Sequence, residues 1–172
     1  MRGKTTFLLL SSILIIFIFQ NSGFCQNIEK ELAIFQDYID KEWVGHYVGS
    51  EDSDYTHVIS WKFIKKDNSV NEIKNVPELG YHQETFYYWN WEENQLAFTS
   101  SNNKDMISSG IVQLEDEKIA LIGKTYFNGG YSLFKKTFAI NDEGKLVDLF
   151  YHRRGDDWQQ GHLIEYKVWK TK

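Results

Sequence analysis

Chemistry in this chain must come from scattered polar groups rather than from a compact motif. The five histidines are His46, His57, His82, His152 and His162. None forms an HExxH pair, and the single cysteine, Cys25, leaves no Cys/His zinc spacing, so neither a metal nor another cofactor is expected. No glycine-rich phosphate loop, nucleophile elbow or Ser-His-Asp arrangement is present. The acidic turns at Glu51-Asp52-Ser53-Asp54 and Asp156-Asp157 lack calcium-loop spacing and read as solvated tips.

Two groupings remain. His57 alternates with Thr56 and Val58 on the same face as Tyr55, Ile59, Trp61 and Phe63, the two-residue period of a half-buried strand. On that face the imidazole is either a polar handle inside a cavity or a satisfied interior histidine. The segment 84–92 supplies Glu84, Phe86, Tyr87, Tyr88, Trp89 and Trp91. With Arg153, Glu84 and Tyr87 could form a carboxylate-tyrosine-arginine cluster for acid-base work, if the three converge. His152 and His162 sit where they could face each other across a last hairpin.

The elements that would position these residues are mostly strands. After Asn27, a capping residue, Ile28, Leu32, Phe35 and Ile39 recur at helical spacing, so a helix is expected over 27–42. From Trp43 the pattern becomes short alternating runs separated by turn chemistry. Ten strands are expected, over 43–49, 55–63, 70–76, 81–92, 95–101, 106–114, 118–127, 131–140, 145–153 and 158–170. Asn128-Gly129 is the strongest hairpin signal. Connections this short suit an up-and-down meander, and an exported chain with ten strands gains by closing its edges into a barrel. Trp43, Gly45, Tyr47 and Gly49 share one face of the first strand, the glycines permitting sharp bending there.

Residues 1–25 read as a signal peptide: Arg2 and Lys4, then an apolar run over 7–19, then small residues before Gln26. Thirteen helical residues rise about 20 Å, short of a hydrocarbon core of about 30 Å. After cleavage no membrane span remains, and export to the periplasm or the exterior is expected. Lipid attachment at Cys25 is the competing outcome. Residues 26–172 form one domain, with 17 basic residues against 24 acidic once Arg2 and Lys4 are removed, a net charge of −7. That balance argues against nucleic acid as a partner.

Trp43 with Gly45, the unbroken meander, and the ending Asp157-Trp158-Gln159-Gln160-Gly161 with Tyr166-Lys167 resemble lipocalin-like, or calycin-like, β-barrels. The ending also resembles that of exported bacterial lipocalin-like families of unknown function. The resemblance implies an all-β antiparallel barrel, Lys167 or Lys170 stacked on Trp43, and a small apolar or amphipathic ligand in an aromatic-lined interior. Ten strands are closer to fatty-acid-binding or nitrobindin-like barrels, and in the latter case His57 becomes a candidate haem ligand. The expected ligand-binding residues are His57, Trp61, Phe63, Phe86 and Tyr88. Two alternatives stay open: a lyase or isomerase using Glu84, Tyr87 and Arg153, and a solid barrel whose surface binds a partner.

Overall fold

The computed structural model describes residues 30–49, 54–66 and 68–171. Its strands are β1 (Lys41–Tyr47), β2 (His57–Ile64), β3 (Ser69–Val76), β4 (Tyr81–Asn90), β5 (Gln95–Asn102), β6 (Ile107–Glu115), β7 (Lys118–Phe127), β8 (Gly130–Ile140), β9 (Leu146–Arg154) and β10 (Asp157–Thr171). Each pairs antiparallel with its neighbours in sequence, and β1 closes the ring on β10. The all-β, up-and-down, ten-stranded barrel expected from the turn spacing is the fold observed. Closure leaves no strand edge unpaired around the ring.

Among the described residues, 30–42, the helix expected over 27–42 is largely replaced by other structure. A 3-10 turn, Lys30–Phe35, gives way to turns, and Ile39 bridges Trp61 just before β1 begins at Lys41. Of the apolar stripe, Leu32, Phe35 and Ile39 are buried, but not on a continuous helix. Tyr38 and Ile39 donate their amides to the Phe35 carbonyl at 3.0 and 3.3 Å, and Asp40, at φ 59°, donates to Trp61. The chain thus bends into β1 before an α-helix can extend. Asn27, Ile28, the signal segment and Cys25 lie outside the described residues. Among the described residues, no helix is long and apolar enough to cross a membrane.

The 3-10 turn plugs one end. Leu32, Phe35, Tyr38 and Ile39 are buried with Trp43, Trp61, Phe63, Val70, Tyr87 and Phe138 in a continuous core. Phe35 packs on Tyr87 at 4.4 Å between ring centroids, and Tyr38 meets Trp61 and Phe138 at 5.3 and 5.5 Å. The cation over Trp43 is Lys41, at 5.8 Å, not Lys167 or Lys170. Lys167 projects outward and is exposed, whereas Lys170 pairs with Glu42 at 3.6 Å. A lysine two residues before the indole on the same face reaches it without crossing a strand.

Gly45 is required by the packing: a Cβ there would lie 2.4 Å from the Glu165 carbonyl oxygen and 2.7 Å from the Tyr166 ring. Its absence lets Tyr166 turn fully inward. At Gly123, paired with Gly110, a Cβ would strike the Ser109 carbonyl oxygen and Phe98, so β6 and β7 approach too closely there for a side chain.

Candidate functional site: a half-hollow barrel lumen

The inward faces of the strands change character along the barrel axis. Toward the plugged end they carry Trp61, Phe63, Val70, Tyr87, Leu96, Ile119, Phe138 and Leu146, all buried. Toward the other end β5 runs from Phe98 to Ser100 and Asn102, β7 from Leu121 to Thr125, and β6 and β8 present Ser108 and Ser132. Small side chains cannot fill a ten-stranded lumen. They leave a cavity of about 600 Å³, open at that end, whose apolar wall includes Val76, Leu79, Phe127, Phe134 and Phe150. That volume lies within the range of small-molecule sites.

The cavity floor is ionic. Lys136 on β8 reaches across the lumen to Glu72 on β3, at 3.3 Å, and also contacts Asp148 on β9 at 3.4 Å. β8 and β3 are five places apart in the ring of ten, so this pair is a strut along a diameter. The Tyr87 hydroxyl on β4 donates to the other Glu72 oxygen. Lys74, also on β3, is 4.0 Å from Asp148. Burial opposes the charge on Lys136, but Asp148 and Glu72 outweigh it and hold its pKa above the usual value. Burial would raise Asp148, yet Lys136 and Lys74 prevail and hold it below the ordinary carboxylate range. Lys74 goes the other way. Burial, reinforced by Lys136, lowers it despite Asp148.

Two imidazoles flank this floor. His57 on β2 is 2% exposed, neither ring nitrogen has a hydrogen-bond partner, and it packs edge-on against Tyr47 at 4.5 Å. Burial, then Lys74, lowers its pKa to about 3. His162 on β10 stacks on Phe150 at 5.0 Å and is lowered to about 4, chiefly by burial and then by Lys74 and Lys136 against the opposing pull of Asp148. Both are neutral at pH 7. Tyr166, fully buried beside them, has an unpaired hydroxyl and is pushed well above its ordinary value by burial and the nearby carboxylates.

Of the residues singled out by sequence, His57 lines the cavity. Trp61 and Phe63 point inward but lie in the packed half. Phe86 and Tyr88 lie on the outer face of β4, because the inward face there is Thr85 and Tyr87; Phe86 is 42% exposed. The run 84–91 is aromatic on both faces, so period alone could not say which ring went in. Glu84, Tyr87 and Arg153 do not converge. Glu84 pairs with His82 outside, Tyr87 is bound to Glu72 within, and Arg153 sits over Trp158 and near Asp156. His162 faces Phe150 across the hairpin, while His152 faces Gln159, since a register shift at Gly161 offsets the two strands.

Lys74, Lys136, Asp148 and Glu72 were missed, although a signal existed. Each is flanked two residues away on both sides by groups on the same face that go inside: Val70, Glu72, Lys74 and Val76; Phe134, Lys136 and Phe138; Leu146, Asp148 and Phe150. A charge within an apolar alternation points into the barrel. Among the described residues, no group of His, Cys, Asp and Glu side chains is arranged to hold a metal ion. The chain matches no protein-family model and no curated protein.

Proposed function

We propose that the protein is an exported, lipocalin-like carrier that holds one small amphipathic molecule in the hollow half of its barrel. The single observation that carries this reading is the open cavity with an apolar wall and a polar floor. The ligand's apolar body lies among Val76, Leu79, Phe127, Phe134 and Phe150. Its polar end meets His57, Lys74 and His162, where the two unpartnered nitrogens of His57 offer a donor and an acceptor. Burying a polar side chain without partners is costly, which supports a ligand group completing its hydrogen bonds. Export rests on the apolar run over 7–19 behind Arg2 and Lys4, and the lipocalin-like assignment on the meander with Trp43 and Gly45. The acidic balance favours a small molecule over nucleic acid.

Native mass spectrometry of protein purified gently from its own host tests the reading. A reproducible extra mass, released on denaturation, is expected, or one-to-one uptake of an added long-chain alcohol by the empty chain. A bare chain that also takes up no such alcohol contradicts it.

A further inference from the structure

We propose that Lys74 is a reactive amine that captures an apolar aldehyde inside the cavity as a protonated imine, with Asp148 as its counter-ion. The proposal rests on the carrier reading and specifies the ligand's polar end. Lys74 projects from β3 into the cavity with its side chain 12% exposed, and Asp148 is the only carboxylate within 4.0 Å of its nitrogen among the described residues. That carboxylate is already engaged by Lys136, which also holds Glu72, so Lys136 is tied down and Lys74 is held loosely. Burial and the neighbouring Lys136 ammonium both favour the neutral, nucleophilic form of Lys74.

The charge count selects the chemistry. Counted with Lys74 protonated, two lysines and two carboxylates balance in the empty site, and His57 and His162 are neutral beside them. A carboxylate ligand would leave one buried negative charge in excess, which is costly for a charge taken out of bulk water. An imine does not disturb the balance. The Lys74 ammonium gives up a proton to solvent at the open end of the cavity, and its nitrogen adds to the carbonyl carbon. The carbinolamine oxygen takes one proton from that nitrogen and one back from solvent and departs as water, leaving a C=N bond whose nitrogen bears one proton. Ammonium plus aldehyde thus become iminium plus water, and the positive charge stays opposite Asp148. Glu72 from the same strand, Lys136 from β8 and Asp148 from β9 complete the charged surroundings, and the apolar wall takes the aldehyde's chain.

The test compares dodecanal with dodecanol on the intact mature chain at pH 7, with and without borohydride, followed by intact-mass and peptide mapping. A surface lysine with a pKa of about 10.4 is neutral in roughly one molecule in 2,500 at that pH, so it reacts slowly. The expected result is one reduced adduct per chain, at least tenfold more on Lys74 than on exposed Lys124, and suppressed by excess dodecanol. Lys74→Met should lose the adduct, whereas Lys124→Met, outside the cavity, should keep it and still bind dodecanol. Dodecanol bound but aldehyde trapped only on surface lysines overturns the imine and leaves the carrier standing. Failure of both to bind overturns both.

Discussion

The two halves of this barrel are built from the same ten strands with the same in-out alternation, yet one half is solid and the other hollow. In the solid half, the inward side chains Trp61, Phe63, Val70, Tyr87, Leu96, Ile119, Phe138 and Leu146 are rings or branched aliphatics, and the 3-10 turn with the bend after it seals that end with Leu32, Phe35, Tyr38 and Ile39. In the hollow half, serines and threonines replace them on β5, β6, β7 and β8. The strut from Lys136 to Glu72 marks the boundary. Barrel closure therefore does not determine whether a lumen is filled; the size of the inward side chains along the axis does. Stability resides in one half, and the capacity to accept a guest in the other.

Substitutions should separate the halves, and the largest effect is expected in the solid one. Trp61→Ala removes a buried indole that packs on Tyr38 and Phe138, and should cost about 4 kcal/mol in urea unfolding. Ser108→Leu, in the hollow half, gives up a 2.9 Å hydrogen bond to Thr125 but enters empty space. It should change stability by about 1 kcal/mol or less while weakening alcohol uptake. Equal destabilisation by the two would erase the distinction. At the boundary, Lys136→Met strands Glu72 and Asp148 without their shared cation and should cost about 3–5 kcal/mol, more than Lys74→Met.

Acid should sharpen the same contrast. His57 and His162 have folded-state pKa values lowered from 6.5 to about 3 and about 4, so the unfolded chain binds protons at pH 5 that the fold does not. Stability is then fully present above pH 6.5, is lost as pH falls below it, and stops falling on this account below the folded values. A loss of roughly 4 kcal/mol between pH 7 and pH 5 is expected, and His57→Gln should remove about half of it. Asp148 adds its own loss only at lower pH, since its folded pKa lies below 3.8. A flat urea midpoint from pH 7 to pH 5 would contradict the neutral imidazoles. The smallest effect lies outside both halves. Asp116 and Glu117 join β6 to β7 with φ of 48° and 64°, a conformation that suits glycine better than glutamate. Glu117→Gly should raise stability by about 1 kcal/mol and leave uptake unchanged.

The solid half was largely legible in the sequence, because alternation such as His57, Ile59, Trp61 and Phe63 names an inward face and turn residues such as Asn128-Gly129 bound the strands. The hairpins fell where the Gly, Asn and Asp clusters put them. The helix over 27–42 was misread because an apolar stripe at helical spacing also serves a 3-10 turn followed by a bend, once tertiary contacts to Trp61 take over. The hollow half was harder to read. Its signal is the lack of bulk at Ser100, Ser108, Thr125 and Ser132, and a missing ring is less conspicuous than a present one. The aromatic run from Glu84 to Trp91 drew attention to Phe86 and Tyr88, whose outward direction only the register with β3 and β5 reveals. The charged floor joins β3, β4, β8 and β9, residues separated by up to 76 positions between Glu72 and Asp148, which local pattern cannot bring together.

The most direct measurement is an isotope-edited NMR experiment that detects contacts between bound dodecanol and the protein's methyl groups. The account predicts contacts from Val76, Leu79, Met106, Leu121 and Thr125, which line the cavity, and none from Ile59, Ile119 or Leu146 in the packed half. Contacts confined to outward methyls such as Leu133, or extending to Ile59 and Leu146, would show that the guest sits on the surface or that the barrel is not divided as described.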